Sequence, residues 1–136
     1  HRRAGGEPNK ILIVDDDPRM VELIKASFRD ERFTLVDCGD GEAALRSAVT
    51  EEPDLVILDL MLPKLNGFEV CQRLKAEPGT ADIPIIMLSA KGETESKVQS
   101  MNLGADDYMT KPFSPLELVA RVKMILRRVY GRRKHG

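Results

Sequence analysis

The chain has 136 residues, 42% hydrophobic and 32% charged, with a formal net charge of −1. That is one domain's worth, long enough to bury a full core without staples, and its near-balanced charge offers no generic attraction to nucleic acid or membrane. Cys38 and Cys71, in no CxxC or Cys/His arrangement, argue against a disulfide framework or zinc site and for a reducing, cytoplasmic setting.

Residues 1–8 read as a flexible lead-in. The first strand-like run, ILIV at 11–14, passes directly into Asp15-Asp16-Asp17, three like charges where a buried strand should end. Asp17-Pro18 supplies an N-cap followed by proline at the first helical position. It opens the helical pattern PRMVELIKASF, with Met20, Leu23, Ile24 and Phe28 predicted on one face. A second run, FTLV, begins at 33, and after Gly39 and Gly41 the pattern GEAALRSAV places Ala44, Leu45, Ala48 and Val49 together. The third run, LVIL from 55, ends in Asp59; beyond Gly67, GFEVCQRLK groups Phe68, Cys71 and Leu74. The fourth, IIML from 85, ends in Ser89, and after Gly104 the fifth, DYMT from 107, is followed by Lys111.

SPLE at 114–117 is a capping box that opens the last helix. That helix carries two apolar stripes, Leu118, Val122, Ile125 and Val129 on one and Leu116, Val119 and Leu126 on the other. One stripe should face the sheet; the other could bury against a partner or a neighbouring helix of the same domain. No acid follows Glu117, while seven Lys and Arg residues do, from Arg121 to Lys134. Without an aromatic stacking platform, this reads as a solvated helix face running into a basic tail at 130–136, and the domain itself is not expected to bind nucleic acid.

The five strand-like runs start 22, 22, 30 and 22 residues apart. The leucine-rich-repeat pattern is missing, and each interval holds a helical pattern instead. Strand alternating with helix five times implies parallel pairing with helices on both faces, a doubly wound α/β domain over residues 9–129. Such folds place their ligand site outside the carboxyl ends of the strands. There the sequence collects Asp15, Asp16, Asp59, Ser89 and Lys111.

Hard carboxylate oxygens suit Mg2+, and Mn2+ could substitute. Three aspartates are balanced by one divalent cation and one lysine; without the metal, at least one carboxylate should titrate high. Such a site suits a phosphoryl group, with Asp59 as nucleophile, Asp15 and Asp16 as metal holders, and Lys111 and Ser89 offsetting charge on the transferred oxygens. Asp17 is expected to cap the helix and point away. A flavin binder would need a phosphate-cradling first loop, and DDDPRM is its electrostatic opposite. Two further readings are an aspartyl phosphohydrolase and a domain that only binds partners. A hydrolase of the haloacid-dehalogenase type needs an Asp two residues after the nucleophile, where this chain has Met61, and a purely binding domain would be expected to have lost an acid or the lysine.

ILIVDDDP, PDLVILDLMLPKLNGFEV, IPIIMLSA and GADDYMTKPFSPLELVARV together resemble the response-regulator receiver domains of two-component signalling, over about residues 9–129. The resemblance implies a flavodoxin-like (βα)5 fold with strand order 2-1-3-4-5, an order that spacing does not give. It implies phosphorylation of Asp59 by a sensor histidine kinase or a small phosphodonor, and Mg2+ held by Asp15, Asp16, Asp59 and the backbone carbonyl of Met61. Ser89, which stands where Thr is commoner, and Lys111 would contact the phosphoryl group, and the Lys111–Pro112 bond would be cis. Ser89 and Tyr108 would form a switch pair, the aromatic rotating inward on phosphorylation. Met61 and Lys91 would flank the hydrolytic water and slow hydrolysis, with no external substrate turned over.

The likeness is nearest to the OmpR/PhoB-like subfamily with winged-helix outputs, although diguanylate cyclases and other outputs also carry such domains. It implies a homodimer, when phosphorylated, through the fourth helix, fifth strand and fifth helix. Lys97 would face Glu117 and Asp107 would face Arg121 across the two-fold, with Val98 and Leu118 in the apolar centre.

Overall fold

The computed structural model describes residues 8–90 and 92–131. Strands β1 (Asn9–Val14), β2 (Phe33–Cys38), β3 (Leu55–Asp59), β4 (Ile85–Ser89) and β5 (Asp107–Thr110) alternate with helices α1 (Pro18–Ser27), α2 (Gly41–Thr50), α3 (Gly67–Ala76), α4 (Thr94–Asn102) and α5 (Pro115–Tyr130). The strands form one parallel sheet in the order β2-β1-β3-β4-β5. The pairing sets Val14 beside Leu58 and Asp59 beside Leu88, so the strands end nearly level.

Helices cover both faces, so the central strands read as continuous aliphatic runs and every residue of β3 and β4 is buried. Side chains alternate between two cores because a strand has period two. Ile11, Ile13, Leu55, Ile57, Ile86 and Leu88 point toward α1 and α5, meeting Ile24, Phe28, Leu118, Val122 and Ile125. Leu12, Val14, Val56, Leu58, Ile85 and Met87 share the other core with Ala44 and Ala48 of α2 and Val70, Cys71 and Leu74 of α3. At about 25 cal/mol per Å² of apolar area removed from water, each fully buried Leu or Ile here stabilises the fold by roughly 1.5–3 kcal/mol.

Local chemistry sets the helix starts. Asp17 accepts from the Arg19 amide at 2.9 Å, Asp40 from Ala43 at 2.8 Å, Asn66 from Glu69 at 3.0 Å and Ser114 from Glu117 at 3.3 Å. Each satisfies an amide that the first helical turn leaves unpaired. Asp17 does cap α1 as expected. Helix α4 is the exception, its N-cap position Glu93 making no side-chain capping bond.

Several faces differ from their helical patterns. Leu23 is 46% and Val49 66% exposed, while Val21 is buried in their company's place. The apolar stripe of α1 is centred on Val21, Ile24 and Phe28, and Leu23 lies past its edge. Both stripes of α5 enter the domain's own core, Val119 and Leu126 included, because α5 packs against α1 as well as the sheet. Of the second stripe only Leu116 stays outside. Leu118, expected at the centre of a dimer face, is fully buried beneath the helix and cannot meet a partner. On α4 the pattern is inverted: Ser96 and Ser100 face inward, while Val98 and Met101 face solvent. The Ser100 hydroxyl is satisfied by the Ser96 carbonyl at 2.9 Å, which makes that polar inner face tolerable.

The expected lead-in and basic tail lie outside the described residues except at Pro8, Tyr130 and Gly131, and α5 runs one residue past the boundary expected at 129. Gly104 takes the left-handed conformation (φ 104°) as a turn glycine should. Gly67 serves otherwise. It opens α3 where a Cβ would lie 2.5 Å from the Asp59 carbonyl oxygen and 2.7 Å from the Leu60 Cα. Gly67→Ala should therefore destabilise the fold by about 1–3 kcal/mol through overpacking against backbone, read by urea denaturation. An unchanged midpoint would mean that the loop after β3 yields freely.

Candidate functional site

Four strand ends converge at one edge of the sheet. Asp15 follows β1, Asp59 closes β3, Ser89 closes β4, and Lys111 follows β5. Carboxylate oxygens of Asp15, Asp16 and Asp59 lie within 4.8 Å of one another, Asp15 and Asp59 buried and Asp16 exposed. The Lys111 Nζ bridges the two buried acids, 2.9 Å from Asp15 Oδ2 and 3.2 Å from Asp59 Oδ1. The other oxygen of Asp15 accepts from the Asp17 amide at 2.9 Å, so this carboxylate ties the start of α1 to the lysine. Ser89 is wholly buried, and its carbonyl accepts from the Lys111 amide at 2.8 Å, which fixes the lysine beside the hydroxyl-bearing strand. The Lys111–Pro112 bond is cis.

Electrostatics reflect the crowding. Burial, then repulsion from Asp15, raises the Asp59 carboxyl above its ordinary range against the pull of Lys111 and the Met61 amide. This is the high-titrating carboxylate expected of the metal-free cluster. For Lys111, burial works to lower the ammonium, but the hydrogen bond to Asp15 and attraction from Asp59 outweigh it, and the net shift is upward. Three carboxylates and one ammonium leave an excess of about two negative charges, which a divalent cation matches. The donors are all oxygens, and Asp16 leaves one side open to water, as Mg2+ requires.

Met61 is 57% exposed at the mouth of the site, while Lys91 lies outside the described residues. Tyr108 was expected to turn inward only on phosphorylation; it is already inside, 7% exposed within the core that contains Met87 and Ala105. The expected pairing of Asp107 with Arg121 across a dimer is instead made within one chain. Arg121 Nη1 lies 2.7 Å from Asp107, and Nη2 lies 2.9 Å from Glu117 one helical turn away. These contacts, Asp107 first, raise the Arg121 pKa further. The reason is proximity: α5 runs beside β5, so the guanidinium reaches Asp107 without a partner. Val98 is half exposed and Lys97 exposed, on the outer side of α4.

Cys38 and Cys71 are free, and burial pushes both thiols up to about 11, as small structural residues rather than reactive ones. Sequence reading missed the amides of Asp17 and Met61, which support Asp15 and Asp59. Backbone donors leave no residue-type signal. It also missed Tyr130, whose hydroxyl bonds the Asp54 carbonyl at the opposite edge of the sheet.

A family model described as the response regulator receiver domain matches residues 11–123. Among curated proteins, the chain is 52% identical over 119 residues to the alkaline phosphatase synthesis transcriptional regulatory protein PhoP of Bacillus subtilis, covering 88% of this chain and 49% of that one. It is 48% identical over 118 residues to the phosphate regulon transcriptional regulatory protein PhoB of Pseudomonas aeruginosa, covering 87% and 52%. The chain thus spans about half the length of the curated relatives it matches. Among solved structures, it is similar to the receiver domain of the Francisella response regulator 1452, with TM-score 0.82 and 35% identity over 88% of this chain and 98% of that one. It is also similar to the BeF3-activated N-terminal receiver domain of Klebsiella pneumoniae RstA, with TM-score 0.80 and 34% identity over 88% and 99%.

Two outcomes follow from the charge arrangement. The folded state raises the Asp59 pKa, so the native chain binds that proton more readily than the unfolded one. Ionising Asp59 therefore costs stability, and the cost sets in as pH rises through and above the ordinary carboxyl range. Asp59→Asn should stabilise the metal-free chain at pH 7 by roughly 1–3 kcal/mol, the size of one like-charge contact in a partly screened site, with the gain shrinking as the pH is lowered. Thermal denaturation in EDTA across pH 3–8 measures it; a gain independent of pH would refute the electrostatic cause. Lys111→Met should tighten Mg2+ binding about fivefold, by removing a neighbouring positive charge. Calorimetric titration would show weaker binding instead if the ammonium organised the acids for the metal.

Proposed function

The chain belongs to the response regulator receiver domain family, and on that premise we propose that it is a switch set by phosphorylation of Asp59 by a sensor histidine kinase. The carrying observation is the Lys111 ammonium held between Asp15 and Asp59 at 2.9 and 3.2 Å, next to the Ser89 strand end. An Asp59 oxygen attacks the phosphorus of a phosphohistidine; the P–N bond breaks, its electron pair stays with the imidazole, which takes up a proton, and an acyl phosphate forms. Lys111 then offsets charge on the transferred oxygens, and the Ser89 hydroxyl donates to one of them. Asp15, Asp16, Asp59 and the Met61 backbone carbonyl would hold Mg2+, which when bound supplies further positive charge to the phosphoryl oxygens.

Hydrolysis in place regenerates Asp59, so the chain acts on itself and turns over no outside substrate. Met61, standing exposed beside the site, hinders the approach of water and prolongs the phosphorylated state. In the switch, Ser89 moves toward the new oxygens and Tyr108 is held in the inward position it already occupies.

The readout is a homodimer through α4, β5 and α5. Its apolar contact uses Val98, and its charges are Lys97, Asp107, Glu117 and Arg121, with Arg121 exchanging bonds within the chain for bonds across the two-fold. Leu118 supports that face from beneath. The curated relatives are named as transcriptional regulators and are about twice as long, which supports a receiver controlling a transcriptional output in the cytoplasm. No helix among the described residues is long and apolar enough to cross a membrane.

Intact-mass spectrometry after incubation with acetyl phosphate tests the reading. One adduct of ~80 Da is expected for acyl-phosphate formation at a carboxylate. It should require Mg2+ and be absent from Asp59→Asn. Full modification of Asp59→Asn would name the wrong nucleophile.

A further inference from the structure

The pole of the sheet opposite the acidic site carries a second set of long-range polar contacts. Asp54, immediately before β3, is bound to β1 in both directions: its amide donates to the Lys10 carbonyl at 2.7 Å, and the Lys10 amide donates to its Oδ2 at 2.7 Å. Lys10 Nζ in turn reaches the Glu51 carbonyl at 3.1 Å. Onto this framework the Tyr130 hydroxyl donates a 2.8 Å hydrogen bond, to the Asp54 carbonyl, across 76 residues of sequence. Tyr130 is the last residue of α5, half-buried against the core that α1 and α5 share.

Among the described residues, α5 ends without a left-handed cap. Gly131 stays right-handed (φ −60°, ψ −36°), and its amide continues the helical ladder to the Arg127 carbonyl. The helix's last described turn is held by a tertiary contact.

We infer that the Tyr130 hydroxyl is a latch that pins the last described turn of α5 to the entry of β3. The latch is separate from the phosphoacceptor chemistry, which sits at the other ends of the same strands. Asp54 is suited to receive it because its own amide and carboxylate are already committed to β1, so its carbonyl is held on a rigid strand. The contact comes from a single hydroxyl on an aromatic ring that packs with or without it. Removing the oxygen therefore frees the last turn without opening the core.

Residue-resolved amide exchange on the whole 136-residue chain, wild type against Tyr130→Phe, tests this. The amides from Arg127 to Gly131 should exchange about fivefold faster in the variant, the loss of one typical hydrogen bond. Those of β1 and β3 should be unchanged, and the acetyl-phosphate adduct should form equally in both chains. Unchanged exchange in the last turn would overturn the latch, since ring packing alone would then hold the helix end. A uniform rise across the sheet would overturn it as well, by making the bond a general stabiliser, and so would loss of the adduct.

Discussion

Two buried carboxylates share one half-buried ammonium at the carboxyl edge of this sheet, and most of the structure can be understood as what is needed to hold them there. Asp15 and Asp59 would separate if the backbone allowed it. Neither can move, because Asp15 directly follows and Asp59 closes a central strand locked in register with its neighbour. Lys111 relieves the repulsion only because the loop after β5 presents it between them, its amide anchored on the Ser89 carbonyl. The residual strain appears as the raised affinity of Asp59 for a proton, and the same negative field is one that a divalent cation would relieve. Folding free energy from the two aliphatic cores thus offsets the cost of keeping a carboxylate in an unfavourable place.

The division of the core into two layers matters to how such a site could report its state. Ser89 ends a strand whose neighbour in register is Thr110, and Tyr108 lies two residues back on that same edge strand. The strand nearest the Ser89 hydroxyl on that side is therefore β5, against which α4 packs. Helix α4 is the least firmly held of the five. It lacks a side-chain cap and sets serines, rather than aliphatics, against the domain. The central strands and α5, by contrast, carry the bulk of the apolar contact. Apolar burial is thus concentrated in the central strands and α5, while α4 contributes little of it.

The sequence made the element order, the strand ends and the acids legible, because each rests on local chemistry. Runs of β-branched and aliphatic residues, Asp-Pro and Ser-Pro helix starts, and carboxylates or a lysine directly after strands are signals carried by neighbouring residues. Helix faces were less legible. Leu23 and Val49 fit the helical period yet lie in solvent, because period alone does not say where the packed stripe is centred. The stripe of Val119 and Leu126 fitted either a partner or a neighbouring helix of the same domain, and α1 lies close enough to cover them. Arg121 and Asp107 were read as reaching across a dimer, though they meet within one chain once α5 lies along β5.

By itself, then, the sequence determined a parallel, doubly wound α/β domain and the chemical character of the site, since strand and helix periodicity and the residues at strand ends are local facts. It also carried enough motif to mark the receiver family. Tertiary structure alone decided that Lys111 bridges Asp15 and Asp59, that Leu118 is buried and Val98 exposed, that Tyr108 already sits inside, and that Tyr130 reaches Asp54. Each of these joins residues far apart in the chain or depends on how one helix is rotated against the sheet. No pattern within one segment contains that information, because it is fixed only when the elements pack and exclude water together.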